Sequence, residues 1–365
     1  MSLASVTCPE GERKQSEREG LRVTAPSGVG IDVWASAEWR EAATSWLDEQ
    51  LASHGISRSG EIEQPHLRPW ATVLSAPTII GRVWLKALGP ATAFEAGLYE
   101  LLQGTVPERV LAPIAVDAAR GWILLPDGGP PLADRVAGVD LVDALAAVLR
   151  RYGKLQRDFA PEIEAALTLG VADMRPQVMP DRFDEALETV GGSLAGQDAG
   201  GDRDLLRKVA SRRDAYRSWC ERLATAPGGA SLDHNDLHPW NMLVPDLDRP
   251  DEVRFYDWGD AVIAHTFACM LVPLGWAETR LATDQYAPEV LRIRDAYLQS
   301  FSEIAPHSEL VEALELACRV GKVARALTWA RAVAQSIPSE LTKHFATAPL
   351  ASLGSLLDDS YLGGA

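Results

Sequence analysis

The stretch His234-Asn-Asp-Leu-His-Pro-Trp-Asn241 is followed, sixteen residues after Asn241, by Asp257-Trp-Gly-Asp260. Short apolar runs lie between the two pieces, at 241–245 and 253–256. Apolar runs bounded by turn-forming residues are typical of short strands, so the pattern predicts a loop, a hairpin and a second loop at a strand end. The hairpin would return Asp257 to the neighbourhood of Asn241, and two carboxylates and one amide would then converge on one point.

The side chains of this motif indicate a chemistry. Carboxylate and amide oxygens are hard ligands that suit Mg²⁺ already bound to substrate phosphates. The remaining carboxylate, Asp236, can accept a proton from a hydroxyl nucleophile, as in a kinase. The alternative is a turn held by local Asn and Asp hydrogen bonds. Against it, the chain has two asparagines, Asn235 and Asn241, and both fall here.

Residues 231–271 resemble the aminoglycoside phosphotransferase and choline kinase-like family of small-molecule kinases. Members of that family carry a His-x-Asp-x-x-x-x-Asn loop and a later Asp-x-x-Asp segment on a protein-kinase-like fold. The resemblance implies a catalytic Asp236 and the metal ligands Asn241 and Asp257. It extends more loosely from about residue 66 to the C-terminal helices. The chain departs from the family at 265–267, where His-Thr-Phe replaces Gly-Asp-Pro and a further aspartate.

Composition excludes several classes of partner. The chain has 365 residues, and 35 Lys and Arg against 51 Asp and Glu give a formal charge of −16, which disfavours nucleic acid and anionic membranes. No apolar run is long enough to span a membrane, and residues 1–19 lack the apolar core of a signal peptide. Widely spaced Cys8, Cys220, Cys269 and Cys318 indicate reduced thiols. We therefore expect a cytoplasmic protein, as a monomer or a weak homodimer.

The pattern of elements predicts an α+β fold with two lobes, like that of protein kinases. Residues 1–35, poor in large apolar groups, are expected to form a mobile arm, with a possible strand at 21–24. Residues 36–127 would be the small, mainly β, nucleotide-binding lobe, opening with a helix over 36–53. Residues 128–365 would be the larger, mainly helical lobe with the catalytic loop and the acceptor site.

Lys86 lies on a predicted strand, 79–88, and Glu95 lies on the following helix, 91–103. A strand lysine followed by a helix glutamate is the pair that kinases use to grip the α- and β-phosphates. Taken alone, Lys86 is equally consistent with an edge residue that points to water. Glu100 is the competing partner, and the family resemblance favours Glu95.

Two further segments carry candidate nucleotide contacts. The loop predicted at 75–78, between strands 66–74 and 79–88, lies where a nucleotide lid would be. The resembling family often has a hydroxyl-bearing loop here, which makes Ser75 and Thr78 candidates, although an ordinary hairpin turn fits equally well. Strands at 109–116 and 121–125 lead into the hinge, 126–131. Pro126 has no N–H, so Asp127 would donate to the base and Leu125 would offer its carbonyl.

The second lobe is predicted to be mainly helical. Helices are expected over 132–159 and about 181–190, followed by a flexible linker at 191–201 and a helix over 202–223. The apolar run at 261–276 is expected to be buried, and three further helical regions at 287–301, 308–336 and 350–357 complete the lobe.

These expectations favour a phosphotransferase that moves the γ-phosphate of ATP or GTP, with Mg²⁺, to a hydroxyl of a small molecule. Asn235 replaces the arginine that would bind an activation-loop phosphate, which argues against a protein kinase. The net charge favours a cationic acceptor such as an aminoglycoside-like antibiotic or an amino sugar. Four acidic residues after the motif favour the same class of acceptor: Glu278, Asp284, Glu289 and Asp295. A neutral acceptor and a non-catalytic pseudokinase are the alternatives. His234 is expected to be a structural hydrogen-bonding residue, His238 is expected to be a surface or loop histidine, and Asp260 has no assigned role.

Overall fold

The computed structural model describes residues 30–137, 139–195, 200–334 and 345–363. Most of the predicted arm, with the possible strand at 21–24 and Cys8, therefore lies outside the described residues. The described end of the predicted arm is helical. Ile31–Trp34 form a short helix, α1, and Trp34 is buried.

The first lobe is built on a five-stranded antiparallel sheet with the strand order β1-β2-β3-β5-β4. The strands are β1 (Glu63–Leu67), β2 (Ala71–Thr78), β3 (Gly81–Leu88), β4 (Ala115–Asp117) and β5 (Trp122–Pro126). Helix α2 (Ala37–Ser53) begins at the N-cap Ser36, whose hydroxyl accepts from the Trp39 amide. Trp46 and Leu47 of this helix pack with Leu85 and Leu124 of the sheet.

The predicted loop at 75–78 is wrong, because β2 continues through Thr78. The strand pairs with β3 along its whole length, from Ala71 opposite Leu88 to Thr78 opposite Gly81. The turn is the two-residue connection Ile79–Ile80, and Gly81 has a φ of 117°. Such a positive φ favours glycine, so the chain reverses here and not three residues earlier.

Helix α3 (Phe94–Thr105) links the sheet to the second lobe. Its residues Ala96, Leu98 and Leu102 are buried in the core of the second lobe. Glu95 lies in its first turn with no exposed surface. A buried carboxylate in that position needs hydrogen-bonding or charged partners, and Lys86 on the neighbouring strand β3 is one of them.

The second lobe is mainly helical. Its longer helices are α4 (Val139–Phe159), α6 (Met179–Ser193), α7 (Gly200–Ala210), α8 (Arg213–Leu223), α9 (Leu271–Leu281), α10 (Pro288–Leu298) and α11 (His307–Ala334); α5 (Ile163–Thr168) and α12 (Ala348–Gly354) are short. The single helix predicted over 202–223 is wrong, because Ser211 and Arg212 interrupt it. The predicted linker at 191–201 is wrong at both ends, since α6 continues to Ser193 and α7 begins at Gly200, and its residues 196–199 lie outside the described residues.

Two small sheets carry the central motif. Strand β10 (Val262–His265) pairs in parallel with β6 (Ala172–Met174) and in antiparallel with β7 (Ala230–Asp233). Strands β8 (Met242–Leu243) and β9 (Arg254–Phe255) form the predicted hairpin. The apolar run at 261–276 is almost entirely buried, as its composition predicts. In the described part of the chain, no helix is long and apolar enough to cross a membrane.

Candidate active site

The loop after β7 turns at Asn235, whose φ of 57° is left-handed. This conformation is uncommon outside glycine, and asparagine adopts it more readily than most residues. The Asn235 amide donates to Asp233 Oδ1 at 2.7 Å, which fixes the turn at the strand end. The hairpin β8–β9 then brings the chain back, and the Tyr256 amide donates to the Asn241 carbonyl at 3.3 Å. Asn241 and Asp257 are thereby neighbours, as the sequence predicts.

Lys86 lies between two carboxylates. Its Nζ atom is 2.6 Å from Glu95 Oε2 and 2.5 Å from Asp257 Oδ1. The Glu95 carboxylate also accepts from the Trp258 amide at 3.0 Å. The predicted pair of Lys86 with Glu95 is present, whereas Glu100 is exposed on the far side of α3. The three side chains hold the strand β3, the helix α3 and the end of the hairpin together.

These contacts set the charges of the three groups. Burial opposes the charge of Lys86, but Asp257 and Glu95 outweigh it and raise the Lys86 pKa above its ordinary value. Burial raises the pKa of Glu95, with Lys86 acting against it. Burial also acts to raise the Asp257 pKa, but Lys86 prevails and holds it below its usual range. Lys86 and Asp257 are therefore an ion pair at neutral pH.

Asp236 stands at the end of the left-handed turn and is held by groups from three directions. Its Oδ1 atom lies 2.7 Å from Arg325 Nη2. Its Oδ2 atom lies 3.2 Å from His238 Nε2 and 3.3 Å from the amide nitrogen of Asn241. Burial alone would raise the Asp236 pKa, but Arg325 first and then His238 lower it below the ordinary range. The carboxylate is ionised, and 22% of its side-chain surface is exposed, although Asp236 is not among the residues that line the cavity between the lobes.

A cavity of about 420 Å³ opens between the two lobes in front of Lys86. Its polar wall includes Lys86, Glu95 and Asp257. Its apolar walls come from both lobes, with Val73, Leu111 and Leu243 among the lining residues. The hinge residues 125–129 close its far end. A mostly apolar cleft of this volume with a few convergent charges is typical of a small-molecule site.

The hinge prediction needs correction. The Asp127 amide donates to the Arg82 carbonyl at 3.0 Å, so it is not free to meet a bound base. Hydrogen-bonded positions alternate along an antiparallel pair. Leu125 lies opposite Trp84, two positions along, so its carbonyl also faces β3. Both residues line the cavity, but their backbone groups complete the sheet.

The two predicted hydroxyl contacts are also engaged elsewhere. Ser75 Oγ accepts from Arg82 Nη1 at 2.8 Å. Thr78 Oγ1 donates to the Gly81 carbonyl at 2.6 Å and accepts from the Ile80 amide at 3.2 Å. Neither residue is among those that line the cavity. Thr78 stabilises the β2–β3 turn, and Ser75 holds Arg82. Both hydroxyl groups therefore have structural partners and do not need a bound phosphate to account for them.

Asn241 and Asp257 provide the oxygen atoms that could hold Mg²⁺. The Asn241 amide nitrogen donates to the Asp236 carbonyl at 2.9 Å, which leaves the side-chain oxygen of Asn241 as the free end of the amide. Asp257 uses Oδ1 for Lys86, and nearly half of its side chain is exposed. The described residues contain no cluster of three acidic, histidine or cysteine ligands. These residues fit Mg²⁺, which is commonly bound by one or two protein groups together with substrate phosphates.

Three residues of the site were not predicted from the sequence or had no role assigned to them. Arg325, from α11, reaches Asp236, and its Nη1 lies 3.7 Å from Asp260 Oδ2. Burial, and then the nearby Asp236, raise the pKa of Asp260 to about 6. His238 contacts the Asp236 carboxylate, which the prediction of a surface or loop histidine did not anticipate. A charged residue within the apolar run 323–327 was the available signal for Arg325.

His234 and His265 both have structural contacts. His234 bonds the Tyr256 carbonyl at 2.9 Å through Nε2, as expected for a structural histidine. His265 lies in the segment where the chain departs from the resembling family, and its Nδ1 accepts from the Phe267 amide at 3.3 Å. It therefore caps the short helical turn that follows, a task that an aspartate also performs.

Solved structures provide the comparison. An ethanolamine kinase from Plasmodium vivax matches with a TM-score of 0.58 at 10% identity, covering 87% of this chain and 89% of that chain. A choline kinase from Streptococcus pneumoniae matches with a TM-score of 0.51 at 12% identity, covering 86% and 99%. A macrolide 2′-phosphotransferase from Brachybacterium faecium matches with a TM-score of 0.50 at 17% identity, covering 84% and 98%. No protein-family model and no curated protein matches the sequence.

The chain therefore has the two-lobed fold of these small-molecule kinases, which confirms the fold expected from the sequence. At sequence identities of 10–17%, the structural similarity shows a shared fold and no more than that. The activity has to be argued from the site itself, since one fold can carry different functions.

Proposed function

We propose that the protein is a small-molecule kinase that transfers the γ-phosphoryl group of ATP or GTP to a hydroxyl of a small acceptor. The observation that carries the proposal is the contact of Lys86 Nζ with both Glu95 and Asp257, at 2.6 and 2.5 Å, on the wall of the inter-lobe cavity. A lysine paired with a helix carboxylate beside a metal-binding aspartate is the arrangement by which kinases hold nucleotide phosphates. The boundary between the two lobes would lie between residues 127 and 128, within the hinge segment 126–131.

The roles of the residues follow from their positions. Lys86 would bind the α- and β-phosphates, and Asn241 and Asp257 would hold Mg²⁺. When bound, Mg²⁺ neutralises charge on the phosphates. Asp236 would orient the acceptor hydroxyl and take its proton late in the transfer. Positioning and charge neutralisation supply most of the catalysis in phosphoryl transfer, and little covalent chemistry is required of the protein.

The hinge offers two backbone groups to a base. Backbone groups of successive residues point to opposite edges of a strand. Because the Asp127 amide points toward β3, the carbonyl of Pro126 and the amide of Gly128 point away from it. One acceptor and one donor two residues apart can pair with the edge of a purine. Gly128 is packed so closely that a Cβ atom there would lie 2.2 Å from Leu243 Cδ1. This packing supports a hinge whose backbone lies directly against the cavity.

The class of acceptor is less restricted than the net charge implies. Of the four acids that favour a cationic acceptor, Asp295 pairs with Arg294 at 2.8 Å and Asp284 accepts from the Tyr286 amide at 2.7 Å. The residues around Asp236 are mixed: Asp260 and Arg325 are charged, and Trp240 is 47% exposed beside Trp276. The structural neighbours are named for macrolide, choline and ethanolamine acceptors. We propose a hydroxylated acceptor, with cationic and neutral compounds both in the test panel.

Thermal unfolding tests the nucleotide site. Mg²⁺ with millimolar ATP or GTP should raise the melting temperature, because a ligand at about 100 times its Kd adds about 2.7 kcal/mol of stability. Asp257→Ala should lose the part of the shift that depends on Mg²⁺. The absence of any shift for the wild-type protein would contradict the proposal. A pseudokinase would show the shift but no acceptor-dependent ADP release.

A further inference from the structure

Arg325 lies in the middle of α11, on a face of the helix that is turned toward the catalytic loop. It is 7% exposed, and its neighbours Ala324 and Ala326 are buried. Its guanidinium group lies over the ring of Trp329, one turn further along the helix, at 5.0 Å. A buried arginine has to be paired to be tolerated, and both groups that accept its hydrogen bonds lie in the loop that carries Asp236.

The guanidinium group holds two consecutive residues of that loop. Nη1 donates to the Asn235 carbonyl at 2.5 Å, and Nη2 donates to Asp236 Oδ1 at 2.7 Å. Nη1 also lies 3.7 Å from Asp260 Oδ2. The planar fork of arginine can make such a double contact with fixed geometry, which the ammonium group of lysine cannot.

Helix α11 makes a second contact with the left-handed turn, through the side chain of Asn235. Thr328, three residues after Arg325 and hence on the same face of α11, accepts from the Asn235 side-chain amide at 2.8 Å. Asn235 therefore has its backbone carbonyl and its side chain bound to one helix. A residue in the left-handed region persists only where its surroundings over-determine it, and α11 supplies two of the contacts.

We propose that Arg325 is a positioning residue for phosphoryl transfer. It holds Asp236 by Oδ1, while His238 and Asn241 contact Oδ2, so that the carboxylate is fixed where it meets the acceptor hydroxyl. It also supplies positive charge between Asp236 and Asp260. This inference rests on the kinase activity proposed above. It assigns to α11, 89 residues away in the chain, the task of presenting the catalytic carboxylate.

Arg319 provides a matched control on the same helix. It donates to the carbonyls of Asp358 and Asp359 and lies over the ring of Trp219 at 5.8 Å. Like Arg325 it bonds backbone carbonyls and stacks on an aromatic ring, but its partners are remote from the catalytic loop. Arg319→Gln therefore reports the cost of losing an arginine from α11 without touching Asp236.

The test compares Arg325→Gln, Arg325→Lys and Arg319→Gln by ADP release with MgATP and an acceptor that the wild-type protein phosphorylates. Arg325→Gln should lower kcat by about 100-fold, the loss expected when a reacting group is misplaced by about 1 Å. The KM for ATP should stay within about twofold, because Arg325 does not line the nucleotide cavity. The kcat of Arg325→Lys should lie between those of the wild type and Arg325→Gln, and Arg319→Gln should keep the wild-type kcat.

A readout independent of turnover separates this inference from the kinase proposal. Hydrogen exchange of the peptide spanning 232–240 should accelerate in both Arg325 variants and not in Arg319→Gln. Unchanged exchange in folded Arg325→Gln, or a kcat within threefold of wild type, would overturn the positioning role. A wild-type rate in Arg325→Lys would also overturn it, because charge alone would then suffice. A wild-type protein that phosphorylates no acceptor would contradict the kinase proposal, and the exchange measurement would still decide whether Arg325 holds the loop.

Discussion

Lys86 Nζ and Asp257 Oδ1 lie 2.5 Å apart, although 171 positions separate the two residues in the chain. The contact joins a strand of the first lobe to the end of the hairpin in the second lobe. In the proposed reaction the lysine binds phosphate and the aspartate binds metal, so each would exchange this contact for a nucleotide-bound one. The pair therefore holds both groups in place and ionised before the nucleotide arrives.

Lys86→Met should destabilise the protein and abolish its stabilisation by nucleotide. Glu95 has no exposed side-chain surface, and breaking a buried ion pair by removing one partner costs about 3 kcal/mol. The free energy of unfolding, measured in urea with and without MgATP, tests both effects. The double variant Lys86→Met with Glu95→Gln should recover much of the stability but none of the nucleotide effect. Full nucleotide stabilisation in the double variant would show that Lys86 does not bind the phosphates.

Gly128→Ala should weaken nucleotide binding by about tenfold or more, because the new methyl group would displace either the hinge backbone or the two buried leucine side chains that line the cavity. The added Cβ would lie 2.2 Å from Leu243 Cδ1 and 2.9 Å from Leu111 Cδ2, and both leucines are buried. Calorimetric titration with MgATP measures the change. Adding Leu243→Ala to Gly128→Ala should recover part of the affinity. Unchanged affinity in the single variant would place the base elsewhere.

His265→Asn should reduce the loss of stability in mild acid. Burial lowers the pKa of His265 to about 4, against about 6.5 in the unfolded chain. The unfolded state therefore binds more protons between pH 6.5 and 4, and the free energy of unfolding falls as the pH falls through that window. Between pH 7 and 5 this one group contributes a loss of about 2 kcal/mol.

Asparagine keeps an oxygen that can accept from the Phe267 amide, so the variant should retain the helix cap. Urea unfolding of the two proteins at pH 7 and pH 5 provides the comparison. Equal losses in wild type and variant would show that His265 is not the group that titrates.

Local patterns predicted the parts of the site that depend on local geometry. The hairpin that joins Asn241 to Asp257 follows from turn residues and apolar runs within 25 residues. The pair of Lys86 with Glu95 follows from a strand leading directly into a helix. Both are confirmed as contacts, at 2.6 Å for the ion pair and 3.3 Å for the bond that closes the hairpin.

The parts that failed depend on register and on distant packing. Asp127 was assigned to the base because it is the first hinge residue with an amide, but which amides face the cleft is decided by the pairing of β5 with β3. The turn after β2 lies at 79–80 and not at the predicted 75–78, because the pairing of β2 with β3 continues to Thr78. Arg325 could not be placed from the sequence, since its partners lie 65 to 90 positions away along the chain. Only the folded chain brings α11 to the catalytic loop.

The most direct measurement is acceptor-dependent ADP release by wild type and Asp236→Asn, over a panel of aminoglycosides, amino sugars, choline, neutral sugars and macrolides. Asparagine keeps the shape of the side chain but cannot take the proton, so turnover should fall by a factor of about 100 or more. MgATP should still raise the melting temperature of the variant. The account predicts that at least one acceptor stimulates ADP release by the wild type and that the variant loses this stimulation. Equal acceptor-dependent rates in the two proteins, or no stimulation of the wild type by any acceptor, would contradict it.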